Sequence, residues 1–193
     1  KSKLQLQDLD DKNSKPFSLD FETLDKEKKS NNLLHKCFSK FDTSSKVFDL
    51  TAGFCKDAYS IANMGFQVTA YEKESWLFEF NKTCLSSLKK RNLNLINLNS
   101  IRALKKVTKK DILFLDPMFE INSRASAKKE IQFLRKCIST SSEKEILDAA
   151  QKSSAGVIIL KRHKLSNSQN PTKPSYVIKG KVISFEVFDR RAV

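Results

Sequence analysis

The 193-residue sequence predicts an α/β fold: a parallel sheet with helices on both faces, closed by an antiparallel strand pair. Three observations predict it. Short apolar runs alternate with stretches of helical periodicity, at lengths that suit strand-helix repeats. Three of those runs carry an acid at or beside their carboxyl end, namely Asp49, Glu72 and Asp116. The last apolar runs, 176–178 and 182–188, are joined through Gly180 without room for a helix.

Taken in order, residues 1–31 are dominated by Lys, Asp, Ser and Asn. Leu4, Leu6 and Leu9, then Phe17, Leu19 and Phe21, suit short strands with Pro16 as the break. Residues 1–45 are expected to form a short N-terminal arm or reduced N-terminal domain, and 46–193 the main domain. From Asn32, the residues Leu33, Leu34, Cys37, Phe38 and Phe41 recur at helical spacing, so a helix leads into strand one, 47–50. The next helix covers 56–63, with Ala58, Tyr59, Ile61 and Ala62 as apolar positions and Gly65 as its stop. Strand two is 67–71, with Glu72 at its end. Ser75 is expected to cap a helix running to about residue 90, with Trp76, Leu77, Phe80, Cys84 and Leu88 as a core stripe. Strand three, 93–98, ends in Asn99 and Ser100, and a short helix, 101–106, follows. Strand four, 112–115, is wholly apolar, as a central strand buried on both faces should be. A loop at 120–127 leads into a helix with Ile131, Leu134 and Ile138 inward. Ser142 and Glu145 match a capping box for a second helix to residue 151. Strand five, 157–160, ends in Lys161, Arg162 and His163. A loop at 166–175 precedes the closing pair.

Composition narrows the class. No apolar run reaches eighteen residues, which argues against a transmembrane helix, and the polar N-terminal residues carry no signal-peptide core. Cys37, Cys55, Cys84 and Cys137 form no Cys-x-x-Cys pair and read as scattered reduced thiols of a cytoplasmic protein, with no metal implied. The formal net charge is +14. Residues 1–45 contribute only +1, so the main domain carries +13. A basic main domain suits a polyanion such as nucleic acid. The bland reading is compositional drift, since Lys and Asn are abundant and Gly scarce.

The chemistry gathers at the strand ends, as it should if one crevice above the sheet is the working site. The turn after strand one holds Asp49, Thr51, Gly53, Lys56 and Asp57. Gly53 admits a ligand close to the backbone, the helix start favours an anionic group, and Asp57 suits the helix cap. Glu72 is placed to accept hydrogen bonds from a ribose diol. Asn99 and Ser100 are candidates for an adenine edge. Asp116-Pro117-Met118-Phe119 is the strongest signal. Pro117 fixes the turn, a carboxylate and a carbonyl at Asp116 can orient an exocyclic amine, and Phe119 offers a face to a flipped base. Two such turns with an acid-ended strand between them point to a methyltransferase. Arg124, Lys128, Lys161 and Arg162 are the expected RNA contacts.

From Val47 to Val193 the chain resembles the RsmJ family of bacterial S-adenosylmethionine-dependent methyltransferases. The resemblance is carried by Asp-Leu-Thr-Ala-Gly-Phe-Cys-Lys-Asp-Ala at 49–58, Glu72-Lys73, Asp116-Pro117-Met118-Phe119, Lys128-Lys129-Glu130, Ile158-Ile159-Leu160-Lys161-Arg162 and the closing Lys179-Gly180 and Phe185-Glu186-Val187-Phe188. It implies a class I, Rossmann-like methyltransferase sheet and S-adenosylmethionine as cofactor, with contacts at Lys56, Asp57, Glu72, Lys73, Asn99, Ser100 and Asp116. It further implies a guanine N2 in 16S ribosomal RNA, or in the small ribosomal subunit, as the methyl acceptor. Cys55 departs from the family pattern, which has glycine there.

Two rivals remain open on sequence: an adenine N6 methyltransferase, which the Asp116 turn would serve equally, and a drifted RNA-binding protein of the same fold. A nicotinamide dehydrogenase would want Gly-x-Gly-x-x-Gly after strand one, and residues 53–58 hold only Gly53.

Overall fold

The computed structural model describes residues 4–12, 14–21, 32–86, 88, 91–117, 133, 143–164 and 172–191. They form strands β1 (Lys46–Asp49), β2 (Gln67–Glu72), β3 (Leu93–Asn97), β4 (Ile112–Leu115), β5 (Val157–His163), β6 (Tyr176–Lys179) and β7 (Ile183–Asp189). The helices are α1 (Leu33–Phe38), α2 (Lys56–Asn63), α3 (Ser75–Ser86) and α4 (Glu143–Lys152), with a 3₁₀ segment at Ser100–Lys106. The strands lie in one sheet in the order β3-β2-β1-β4-β5-β7-β6. β1 to β5 are parallel, and β7 runs antiparallel to both of its neighbours.

Burial explains that order. All four residues of β4 are buried, which suits its place beside β1 and β5. β7 buries Phe185 and Val187 on one face of the sheet and Phe188 on the other, so it needs cover on both. β6 alternates half-buried and exposed residues and takes the edge. The expected closing pair is present, but its second strand is inserted between β5 and β6.

Two apolar layers cover the sheet. On one face, Val47, Val68, Ala70, Phe114 and Ile159 pack with Leu34, Cys37 and Phe38 of α1, with Ala58, Tyr59, Ile61 and Ala62 of α2, and with Leu77 and Phe80 of α3. Leu19 and Phe21 are buried in the same layer, and Leu6 pairs with Phe17 through one antiparallel bridge. On the other face, Leu113, Leu115, Ile158 and Leu160 pack with Ala103 and Val107 beside the 3₁₀ segment and with Leu147 and Ala150 of α4.

Helix ends follow local chemistry. Asn32 caps α1, its side chain accepting from the Leu34 amide at 2.9 Å. Gly65 ends α2 at φ +101°, a backbone region that favours glycine. Asn92 secures that end by donating to the Ala62 and Phe66 carbonyls at 2.6 and 3.0 Å. Four expectations change. Ser75 is the first helical residue of α3 rather than its cap, and its hydroxyl donates to Asn97 Oδ1 at 3.0 Å. α3 ends at Ser86. The helix after β3 is 3₁₀ and starts at Ser100, because the Asn99 side chain caps it through the Ile101 amide. β5 continues through His163, held by pairing with β7. The expected helix around residues 131–138 and the Ser142 cap lie outside the described residues, apart from Phe133, which is helical. Among the described residues no helix is long and apolar enough to cross a membrane.

Candidate active site

One geometric step builds the site four times. Val47, Ala70, Phe114 and Ile159 are core residues on the α2 face of the sheet. Two residues further along each strand stand Asp49, Glu72, Asp116 and Lys161. Side chains of a strand alternate between faces, so a step of two keeps the same face and moves the side chain from the core to the carboxyl end. α2 starts at that end and supplies Asp57. The sheet order turns back at β1, between β2 and β4, which is where open α/β sheets leave a crevice for ligands.

The β1 turn is tightly tied. Asp49 Oδ1 accepts from the Thr51 amide at 3.0 Å, and Thr51 Oγ1 accepts from the Asp116 amide at 2.7 Å, locking the β1 and β4 ends together. Gly53 and Cys55 adopt φ +51° and +57°. Gly53 takes this left-handed region at no steric cost, whereas Cys55, the residue before α2, takes it with a side chain. Burial, followed by the nearby Asp49 and Glu72 carboxyls, pushes the Cys55 thiol well above its ordinary value and leaves it unreactive. Phe17 braces this turn from the N-terminal side of the sequence, meeting Phe54 and Phe133 edge-on at 5.6 and 5.7 Å.

The residues fit S-adenosylmethionine in the ways the fold can show. Glu72 is buried at the end of β2, where its Oε1 accepts from the Glu74 amide at 2.9 Å. Burial raises its carboxyl, and the Glu74 and Gly53 amides draw it partly back. Asn81, fully buried on α3, donates to the Gly53 carbonyl at 2.6 Å. That carbonyl can only accept, so the amide nitrogen is fixed there and Oδ1 is left buried with no partner among the described residues. An acid at the second strand end, a glycine turn at the first, and an unpaired acceptor beside that glycine suit a ligand carrying both a diol and an ammonium group.

The charged centre lies between β4, β5 and α2. Lys161 Nζ is 2.6 Å from Asp57 Oδ2 and 2.7 Å from Asp116 Oδ2. Desolvation alone would lower the Lys161 ammonium, but Asp57 and Asp116 overturn it and hold the group charged. Burial pushes Asp116 up to about 6; Lys161 opposes that rise and Asp57 adds to it. Behind them Asp49 is pushed up to about 8, chiefly by burial, with the Thr51 amide opposing.

The other candidates divide. Pro117 is buried directly after Asp116. Asn99 is exposed, with its Oδ1 engaged by the Ile101 amide, while Ser100 is buried beside it. Lys56 is partly buried and Lys73 exposed. Met118, Phe119, Arg124 and Lys128 lie outside the described residues. Lys161 faces the carboxylates of Asp57 and Asp116, and Asp57 makes that pair instead of the expected cap on α2. Arg162, on the opposite face of β5, is buried against Glu186 of β7. Trp76 is a rim residue rather than core, 36% exposed and edge-on to Phe133 at 5.9 Å. Asn81 was not among the expected site residues. Its signal was a polar residue one turn after Leu77, on the apolar stripe of α3.

Residues 1–190 match the family described as "Putative SAM-dependent methyltransferase". Ribosomal RNA small subunit methyltransferase J of Buchnera aphidicola is 30% identical over 175 residues, covering 83% of this chain and 70% of that protein. The protein of the same name from Coxiella burnetii is 28% identical over 151 residues, covering 74% of this chain and 59% of its own length. The chain thus spans well short of the full length of these relatives. Among solved structures, a SAM-dependent methyltransferase from Neisseria gonorrhoeae superposes with a TM-score of 0.69 at 21% identity, covering 98% of this chain and 80% of the other. The fold is therefore that of the class I methyltransferases, and the chain belongs to the S-adenosylmethionine-dependent methyltransferase family that includes ribosomal RNA small subunit methyltransferase J.

Proposed function

We propose that this chain transfers a methyl group from S-adenosylmethionine to the exocyclic N2 of a guanine in 16S ribosomal RNA, presented either as naked RNA or in the small subunit. The observation that carries this is Asp116. It is a carboxylate at the end of the most buried strand, followed by Pro117 and tied through its amide to the Thr51 hydroxyl of the cofactor-side turn. The cofactor supplies an electrophilic methyl group. Glu72 would hold its ribose, and the Gly53 turn with Asp57 would receive its backbone-like end. Asp116 accepts a hydrogen bond from the target amine and so turns the nitrogen lone pair toward the methyl. Its carboxylate is also a base within reach of the amine proton that must leave after transfer. The remaining work is positioning in a partly desolvated crevice. The strongly basic main domain supports a polyanionic substrate. With that substrate the protein works in the cytoplasm.

The test is single-turnover transfer from labelled S-adenosylmethionine to undermethylated 16S RNA and to small subunits, followed by nucleoside mass spectrometry. N2-methylguanosine is expected. N6-methyladenosine would move the assignment to the adenine enzymes. Cofactor binding without transfer to either form would favour a drifted RNA-binding protein. Asp116→Asn should lower the rate on the order of 10²-fold or more, comparable to the loss of a preorganised electrostatic contact.

A further inference from the structure

We propose that Lys161 is a positioning residue of this site: its single ammonium ties the cofactor-side carboxylate of Asp57 to the target-side carboxylate of Asp116 and holds both as hydrogen-bond acceptors. This rests on the methyl-transfer reading above. The geometry is unlike that of a phosphate-binding surface lysine. The side chain is only 21% exposed, and its nitrogen is within 2.7 Å of both carboxylates. It reaches them because Lys161 continues the face of β5 that buries Val157 and Ile159, pointing at α2 and at the end of β4. Its neighbour Arg162 alternates to the other face and is occupied by Glu186, whereas Lys161 meets these acids.

The groups facing this point, element by element among the described residues, are Asp49 from β1, Asp57 from α2, Asp116 from β4 and Lys161 from β5. Asp57 and Asp116 share one ammonium, with the Asp49 carboxyl near enough to add to the crowding of acids. Without it, Asp57 and Asp116 would be like charges in a desolvated corner, and such pairs relieve their repulsion by sharing a proton. A protonated Asp116 presents an O–H donor where the target amine needs an acceptor. The lysine thereby acts on the reaction through Asp116, with no need to touch either substrate.

The titration arm of the test uses the full chain without cofactor or RNA. The Asp116 carboxyl is followed by carbon NMR against pH, its resonance assigned through Asp116→Asn. In Lys161→Met the Asp116 midpoint should rise by about one unit or more, the signature of a lost cationic neighbour. In Lys161→Arg, which keeps the charge, it should stay closer to wild type. Asp57→Asn is the second variant, useful if Lys161→Met fails to fold, and should move the midpoint down. RNA affinity measured against salt should keep the same slope in Lys161→Met. An unmoved midpoint in both Lys161→Met and Asp57→Asn overturns the proposal, as does a reduced salt slope. These readouts need no turnover. Variants that shift as expected, beside a wild type that methylates nothing, would overturn the transferase reading and leave the tie standing. With an active wild type, Lys161→Met should lose kcat at neutral pH with little change in KM for RNA, and recover as pH rises.

Discussion

Arg162 Nε lies 2.8 Å from Glu186 Oε1, with Nη2 donating to Oε2 at 3.2 Å, across the antiparallel β5 and β7 pair. Leu160 is the direct partner of Glu186 and Ser184 that of Arg162, so the ion pair is a cross-strand diagonal on one face. The two side chains are 10% and 17% exposed. Removing one partner of a buried pair leaves an uncompensated charge. Arg162→Ala should therefore cost about 3–5 kcal/mol in denaturant unfolding. RNA binding should keep its salt dependence. A stable variant with a reduced salt slope would return Arg162 to the RNA surface.

Asp49 predicts a pH dependence of stability. Its folded-state carboxyl is pushed from 3.8 to about 8, mainly by burial. The folded chain therefore holds a proton that the unfolded chain releases, and this group lowers stability as pH rises from about 4 to about 8. Asp49→Asn cannot ionise and keeps an acceptor for the Thr51 amide. Its stability relative to wild type should grow steadily across that window and level off above it. Parallel curves for the two proteins in thermal melts would show that Asp49 is ionised throughout.

Cys55 stands at φ +57°, in the region where a Cβ is unfavourable. In an ordinary helix position alanine is the more stable choice over glycine by about 1 kcal/mol. At Cys55 the order should reverse, with Cys55→Gly more stable than Cys55→Ala by about 1 kcal/mol, because glycine alone escapes the left-handed penalty. Comparing the two variants cancels the loss of the buried sulfur. Alanine equal to or better than glycine would count against a left-handed Cys55.

Glu72→Ala should weaken S-adenosylmethionine binding by about 1–3 kcal/mol, the loss of hydrogen bonds to a charged acceptor. Calorimetry measures it directly. A dissociation constant equal to wild type would take Glu72 out of the cofactor site and leave it as an acceptor for the Glu74 and Gly53 amides.

Gly156 precedes β5 where a Cβ would fall 1.9 Å from the Lys109 carbonyl oxygen and 2.9 Å from Arg191 Cγ. The arginine can move. The carbonyl is less free, because Lys109 belongs to the turn in which Asp111 accepts from both the amide and the hydroxyl of Thr108. Gly156→Ala should lower stability by about 3 kcal/mol through overpacking against backbone. A variant with the wild-type melting temperature would mean that the turn yields at little cost.

By itself the sequence determined what depends on near neighbours. Helical spacing and Gly65 set α2 at Lys56–Asn63, and an unbroken apolar run set β4 at Ile112–Leu115, both with the observed bounds. The apolar runs already placed Asp49, Glu72 and Asp116 at or beside the carboxyl ends of strands. The family resemblance was legible in the same words. Only tertiary structure decided where Lys161 and Arg162 point, because their carboxylate partners lie 45, 104 and 24 residues away and meet them through strand order and register. It also decided that β7 lies inside β6, that Asn81 holds the Gly53 carbonyl, that Cys55 turns left-handed, and that Gly156 passes against Lys109. The division has one physical cause. Periodicity and turn chemistry act within a few residues of chain, whereas the partner of a buried charge is chosen by which strands come to lie side by side.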